Sequence, residues 1–163
     1  MTTHHLGIDI GSTTVKVVVT DEFGEQIYSM YERHNARQAE TLLRVLRNVE
    51  RDFPTFAVKA AVCGSGGRVL AHSIGLPFVQ EVVANAAAVS RLYTTVNTAV
   101  ELGGQDAKVI FFRQNEHGKL VANDMRMNGS CAGGTGAFID EIAALLQCPP
   151  DEFNALAEAG TQV

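Results

Sequence analysis

The chain has 163 residues, 46% of them hydrophobic, which is enough apolar material for the core of one domain or of two small lobes. Its formal net charge is -5 and it contains no run of lysine or arginine, so it lacks the basic surface that binds nucleic acids and anionic membranes. No apolar stretch approaches the length of a membrane span, and we expect neither nucleic acid nor a membrane as a partner.

The side chains able to bind transition metals are few and scattered. The three cysteines, Cys63, Cys131 and Cys148, form no CxxC pair and cannot complete a disulfide framework. We therefore expect reduced thiols in a cytoplasmic protein, in which a cysteine with a special role needs partners from elsewhere. The five histidines, His34 among them, show no metal-ligand spacing, and we expect them at the surface.

The first half of the chain has the pattern of three strands followed by a helix. A short apolar run at 6–10, a run rich in β-branched residues at 14–20 and a third segment at 26–32 are separated by turn residues, which predicts three strands. Apolar residues recur at helical spacing between 39 and 53, and Pro54 ends that helix. A fourth strand is predicted at 56–63 before the glycines of 64–67, and the alanine-rich stretch 81–92 predicts a buried helix.

The same pattern restarts near Thr98. Residues 99–102, 108–112 and 120–123 predict three more strands, separated by turns at 103–106 and 115–118. Helices are predicted at 132–146 and 151–159. Because the order of strands, glycine turn and helix repeats that of the first half, we predict two similar lobes, 1–96 and 97–163.

The first predicted strand ends in a carboxylate and a hydroxyl-rich turn. Glycine lets backbone N–H groups approach phosphate oxygens, hydroxyl groups and a lysine donate further hydrogen bonds, and a carboxylate holds a hydrated Mg²⁺. The residues that suit these roles are Asp9, Gly11, Ser12, Thr13, Thr14 and Lys16. The alternative is an ordinary β-turn, in which glycine, serine and aspartate are the usual residues.

A second acidic glycine turn lies in the second half of the chain. Its residues are Glu101, Gly103, Gly104, Gln105 and Asp106. By itself this turn also has the ordinary interpretation, but two such turns, each between strands, predict a clamp on the phosphates of one nucleotide. No GxxxxGK[ST] segment is present, so hairpins would meet the phosphates instead of a helix N-terminus.

Three segments resemble motifs of known ATPases. GIDIGSTT at 7–14 resembles the first phosphate motif of the actin-like ATPase superfamily. GGQDAKVI at 103–110 and NGSCAGGTGAFID at 128–140 are similar to the BadF/BadG/BcrA/BcrD type, which activates 2-hydroxyacyl-CoA dehydratases or serves benzoyl-CoA reductase. MNGSC at 127–131 looks nearest to the large multidomain activases. The resemblance implies an α/β protein of the actin-like (ribonuclease H-like) fold, with a complete first lobe and a truncated second one.

The resemblance also implies an unusual use of ATP. Members of this family are homodimers that share one [4Fe-4S] cluster and use Mg-ATP to drive a low-potential electron into an acyl-CoA dehydratase or reductase. Cys131 falls on the family's first cluster ligand, and a helix beginning at Ala132 would direct its positive end toward the cluster. The residue alone leaves open a small buried cysteine at a helix start, and Cys63 and Cys148 are interpreted as structural.

Particular roles follow from the resemblance. Asp9, Gln105 and Asp106 are the catalytic candidates, with Asp9 holding Mg²⁺ through water and Thr13 or Gln105 orienting the attacking water. ATP or ADP would contact the glycines and hydroxyl groups of the two turns.

The sequence departs from the family pattern at several points. Glu101 stands where relatives usually have aspartate, and Asn85 lies where the smaller activators commonly carry histidine. The second cluster cysteine and the adenosine-binding segment are expected beyond Val163, so we expect little ATPase activity from these residues alone. A sugar kinase of the N-acetylhexosamine type and a nucleotide-dependent interaction module are the alternative functions.

Overall fold

A computed structural model describes residues 3–54, 57–128 and 134–161. The chain forms two units, residues 1–92 and residues 93–163, and each has its own sheet. The strands of the first unit are β1 (Thr3–Ile10), β2 (Thr14–Thr20), β3 (Gln26–Arg33) and β4 (Ala57–Cys63). Their order in the sheet is β3-β2-β1-β4, with the first three antiparallel and β4 parallel to β1.

The core of the first unit lies between this sheet and α1 (Gln38–Asp52). Every second residue at the end of β1 and along β2 is buried, and α1 contributes Leu42, Val45 and Val49 from one face. Burying one such side chain fully stabilises the fold by about 1.5–3 kcal/mol relative to leaving it in water. The predicted strands and helix of this region are confirmed, because alternation and helical spacing place the apolar residues on one side.

Two further helices, α2 (Gly67–Ser73) and α3 (Glu81–Leu92), complete the first unit. We did not predict α2. The prediction that α3 is a buried helix is right about the helix and wrong about its burial, because none of its residues is buried and Val83 is 57% exposed. Its alanines allow close packing but offer little apolar area, so the sequence pattern does not fix how much of the helix is covered.

The second unit repeats the order of strands and helix. Its strands β5 (Thr98–Leu102), β6 (Ala107–Gln114) and β7 (Leu120–Met127) form an antiparallel sheet in chain order. They are followed by α4 (Gly136–Leu146), a short 3-10 helix (Pro150–Glu152) and α5 (Phe153–Ala159). Among the described helices of the chain, none has the length and apolar character that a membrane crossing requires.

The beginning of α4 differs from the prediction. The structure starts the helix at Gly136, and Thr135 before it is in an extended conformation with φ of -119° and ψ of 171°. Ala132, the predicted first residue, lies outside the described part of the chain. The glycines at 133, 134 and 136 weaken helical propensity here, so the apolar periodicity overestimates the length of the helix.

Candidate functional site

The turn between β1 and β2 joins a carboxylate to a lysine on the facing strand. Asp9 and Lys16 are partners in the antiparallel register, and Nζ of Lys16 donates to Oδ2 of Asp9 at 2.8 Å. The N–H of Gly11 donates to the carbonyl oxygen of Thr14 at 2.9 Å and closes the turn. The first set of predicted site residues is therefore together at one end of the sheet.

The charges of this pair stabilise one another. Burial by itself lowers the pKa of the Lys16 ammonium, but the hydrogen bond and charge of Asp9 outweigh it, so this pKa lies above its ordinary value. The other carboxylate oxygen, Oδ1 of Asp9, is buried and accepts no hydrogen bond from the residues that the structure describes. A buried oxygen of this kind needs a partner, and it fits a water molecule in the shell of a bound Mg²⁺.

The glycine-rich segment after β4 supports the first turn. The N–H of Gly66 donates to the carbonyl oxygen of Ile10 at 2.8 Å. Gly64 has a φ of 93°, and a Cβ built there would overlap the carbonyl oxygen of Ile10 and Oδ1 of Asp9. The sequence alone assigns these glycines no role, because only the fold brings β4 beside β1.

His34 is a second residue whose role we did not predict. We expected it at the surface, and this is wrong, since the residue is 4% exposed. Its backbone N–H donates to the carbonyl oxygen of Thr13 at 3.1 Å. Its ring nitrogen Nε2 lies 3.2 Å from the carbonyl oxygen of Gly11. The signal in the sequence was only a histidine between a strand and a helix, which does not reveal such a contact.

A cavity of about 460 Å³ opens beside the Asp9–Lys16 pair within the first unit. The residues around it are Gly7, Ile8, Asp9, Lys16, Val18, Ala61, Val62, Cys63, Val79 and Ala84. Its walls are therefore mostly apolar, with one carboxylate and one ammonium group at one side. A cavity with these walls suits a ligand that is apolar in one part and charged in another.

The turn between β5 and β6 repeats the arrangement of the first turn. Glu101 and Lys108 are register partners, and Nζ of Lys108 donates to Oε1 of Glu101 at 3.3 Å. The N–H of Gly103 donates to the carbonyl oxygen of Asp106 at 2.8 Å. Carboxylate and lysine are seven residues apart in both turns, which supports the predicted repeat. Each turn lies in its own unit, and the clamp between them stays a prediction.

The second turn is also bonded to the residues on both sides of 129–133. The N–H groups of Gly136 and Ala137 donate to the carbonyl oxygens of Gly103 and Gly104, each at 2.9 Å. On the other side, Oδ1 of Asn128 accepts from the N–H of Ala107 at 3.0 Å. The amides at the start of α4 are therefore bonded to the turn.

The residue predicted to bind the iron-sulfur cluster is not among those that the structure describes. Cys131 lies outside the described residues, and no cluster of metal-binding side chains occurs within 3–54, 57–128 and 134–161. Burial and the neighbouring Glu152 carboxylate raise the pKa of the Cys148 thiol, which disfavours the thiolate that binds metals. This agrees with the interpretation of Cys148 as a structural residue.

The strand order and the repeated hairpins are those of the actin-like ATPase fold. The chain superimposes on the crystal structure of component A of (R)-2-hydroxyglutaryl-CoA dehydratase from Acidaminococcus fermentans with a TM-score of 0.79 and 28% identity, covering 98% of this chain and 60% of that one. The activator of 2-hydroxyisocaproyl-CoA dehydratase from Clostridium difficile, with bound ADPNP, matches with a TM-score of 0.76 and 24% identity. That match covers 99% of this chain and 58% of the other.

Residues 6–162 match the BadF/BadG/BcrA/BcrD ATPase family, and the chain belongs to that family. One relative is the (R)-2-hydroxyglutaryl-CoA dehydratase activating ATPase of Acidaminococcus fermentans, which is 30% identical over 166 residues. The alignment covers 99% of this chain and 60% of that relative, so the chain spans less than two thirds of its length. The family predicted from the three motifs is confirmed.

Proposed function

We propose that the protein binds and hydrolyses ATP to activate an acyl-CoA dehydratase or reductase. The observation that carries the proposal is the repeated hairpin, in which a carboxylate, a glycine turn and a lysine recur with the same spacing in both units. Two relatives named as activators of CoA dehydratases favour this function over a sugar kinase or an interaction module.

Each turn would supply a different part of the nucleotide site. In the first, the Gly11–Ser12 peptide through its N–H, the hydroxyl groups of Ser12, Thr13 and Thr14, and the Lys16 ammonium would donate to phosphate oxygens. In the second, the Gly103–Gly104 peptide would do the same through its N–H from the opposite side, with Glu101 beside it. Gln105, Asp106 and Thr13 are the candidates for orienting the water that attacks the terminal phosphate.

Asp9 is the residue that we assign to the metal. Its free Oδ1 would accept from a water of the Mg²⁺ shell, while Oδ2 keeps the hydrogen bond with Lys16. Bound Mg²⁺ would neutralise charge on the phosphates. The assignment is supported by Oδ1 of Asp9, which is buried and has no hydrogen-bond partner among the described residues.

We further propose that Cys131 binds a [4Fe-4S] cluster shared by two copies of the chain. A two-fold axis through the cluster would let each copy contribute the same residue, and clusters of this type need four cysteine ligands. One cysteine from each copy leaves further ligands to be supplied. The cluster, when bound, supplies a low-potential electron to the partner enzyme, and this chain would hold it through the segment next to α4.

Calorimetric titration of the purified protein with ADPNP, with and without Mg²⁺, tests the nucleotide part of the proposal. We expect binding that requires Mg²⁺ and that weakens at least about tenfold in Lys16→Met, since this change removes a charged phosphate donor. Lys59→Met, at an exposed position of β4, is the matched control and should bind normally. Binding that is equal in both variants would contradict the assignment of the first turn.

A further inference from the structure

His34 lies behind the first glycine turn, in the loop between β3 and α1. Its ring is buried, and Nε2 lies 3.2 Å from the carbonyl oxygen of Gly11. The N–H of Ala36 donates to the other ring nitrogen, Nδ1, at 3.1 Å. One side chain therefore connects the loop to the turn.

The two contacts determine which ring nitrogen of His34 carries the proton. A nitrogen that accepts a hydrogen bond from a backbone N–H carries no proton, so Nδ1 is the unprotonated nitrogen. In a neutral imidazole the proton then lies on Nε2, which donates to the carbonyl oxygen of Gly11. His34 therefore acts as a donor to the turn and an acceptor from its own loop.

The loop that carries His34 has an uncommon backbone conformation. Asn35 and Ala36 both have positive φ, 47° and 64°, although neither is glycine. Such residues cost about 1–3 kcal/mol each and persist where the surroundings determine them. Here the bond from Ala36 to the ring and the bond from the N–H of Arg37 to the carbonyl oxygen of His34, at 2.7 Å, hold the conformation. The strained backbone at Asn35 and Ala36 therefore occurs in the same loop that holds the imidazole against the turn.

The contact with Gly11 also determines where the next amide points. The C=O and N–H of a trans peptide point in opposite directions. Because the carbonyl oxygen of Gly11 is held toward His34, the N–H of Ser12 in the same peptide points away from His34. A backbone N–H fixed in this way is prepared to donate to a phosphate oxygen on the open side of the turn.

We propose that His34 is a positioning residue that sets the orientation of the Gly11–Ser12 peptide for phosphate binding. This rests on the proposed function, since it assigns to the first turn the binding of ATP. The ring does not contact the nucleotide in this proposal. It acts through the backbone of the turn. Loss of the His34 ring therefore lowers nucleotide affinity by more than the accompanying loss of folding stability would explain.

Two substitutions separate the contacts of the ring. His34→Gln places an amide N–H near the position of Nε2 and keeps the donor to Gly11, but it loses the ring acceptor for Ala36. His34→Asn keeps an acceptor for the N–H two residues later, as in an Asx-turn, but is too short to reach Gly11. We expect His34→Asn to weaken ADPNP binding at least about tenfold and His34→Gln to remain within about threefold of wild type.

A second measurement does not depend on the nucleotide. Amide hydrogen exchange of the unliganded protein, resolved by NMR, reports the N–H of Gly11, which closes the turn onto Thr14. We expect faster exchange at Gly11 in His34→Asn and wild-type exchange in His34→Gln. Nitrogen-15 shifts of the wild-type imidazole should show the proton on Nε2.

The outcomes distinguish the two proposals. If wild type fails to bind ADPNP, the proposed function fails, and exchange at Gly11 still decides whether His34 holds the turn. If both variants lose affinity equally, in proportion to their thermal stability, His34 is structural only and the positioning role is overturned. Unchanged affinity and unchanged exchange in His34→Asn would overturn it as well.

Discussion

The contact of Gly64 with the first turn gives a quantitative prediction. A Cβ at this position would lie far inside van der Waals distance of the carbonyl oxygen of Ile10 and Oδ1 of Asp9, whereas carbon–oxygen contacts are normally no shorter than about 3.3 Å. Its φ of 93° adds a backbone cost of about 1–2 kcal/mol for any residue with a Cβ. We expect Gly64→Ala to lower the free energy of unfolding by about 3–5 kcal/mol, because the overlapping atoms include backbone.

Gly75→Ala is the matched control for this substitution. Gly75 also has positive φ, 70°, but a Cβ there would meet no heavy atom within 4 Å. It carries the backbone cost without the overlap, so we expect a loss of about 1–2 kcal/mol. Urea denaturation followed by circular dichroism measures both losses, and their difference isolates the overlap. In thermal denaturation, 1 kcal/mol corresponds to about 2–4 °C in a chain of this length.

Gly64→Ala also tests whether Gly64 affects Asp9, the candidate metal residue. The added methyl group would press on Oδ1 of Asp9, so Gly64→Ala should weaken Mg²⁺-dependent ADPNP binding and Gly75→Ala should not. Titration is carried out at a temperature where both variants are folded. Equal stability losses in the two variants would refute the close approach of Gly64 to Ile10 and Asp9.

Three further predictions concern the proposed function. Asp9→Asn should weaken Mg²⁺-dependent binding at least about tenfold, because it removes the charge that holds the hydrated metal. Calorimetry checks this against Glu50→Gln at an exposed position of α1, and equal affinities would contradict the role of Asp9. The purified 163-residue chain should hydrolyse ATP slowly in a phosphate-release assay, since its two turns would contact only the phosphates of the nucleotide. Fast Mg²⁺-dependent turnover would contradict this. In the protein as the cell makes it, Cys131→Ser should abolish cluster assembly but leave nucleotide binding intact, as measured by iron and sulfide analysis after anaerobic reconstitution, with Cys148→Ser as the control. A four-iron signal in reduced Cys131→Ser would remove Cys131 from the ligand set.

The features that the sequence predicted well are local. The strands around Asp9 and Glu101 follow from short alternating runs, and the turns between them follow from glycine beside a carboxylate. Both patterns involve residues only a few positions apart in the sequence, so they can be recognised without knowledge of the fold. The pairing of Asp9 with Lys16 was not predicted, although the length of a hairpin turn determines the register of its strands.

The features that the sequence did not predict depend on distant contacts. His34 contacts Gly11 across 23 positions of the chain, and Gly64 approaches Asp9 only because β4 pairs with β1. The exposure of α3 likewise depends on what packs against its alanines. No pattern within a single element carries this information, so these residues were interpreted by their usual locations.

The two hairpins share one arrangement of carboxylate, glycine turn and lysine but differ in the exposure of their ion pairs. In the first, Lys16 remains 39% exposed and Asp9 keeps one oxygen without a partner among the described residues. In the second, the side chain of Lys108 is only 7% exposed beside the longer Glu101. A buried ion pair is costly to break, whereas a half-exposed pair can exchange its partner for an incoming cation. The first hairpin is therefore suited to exchanging the partner of its carboxylate, whereas the same exchange in the second would be more costly, because the side chain of Lys108 is buried.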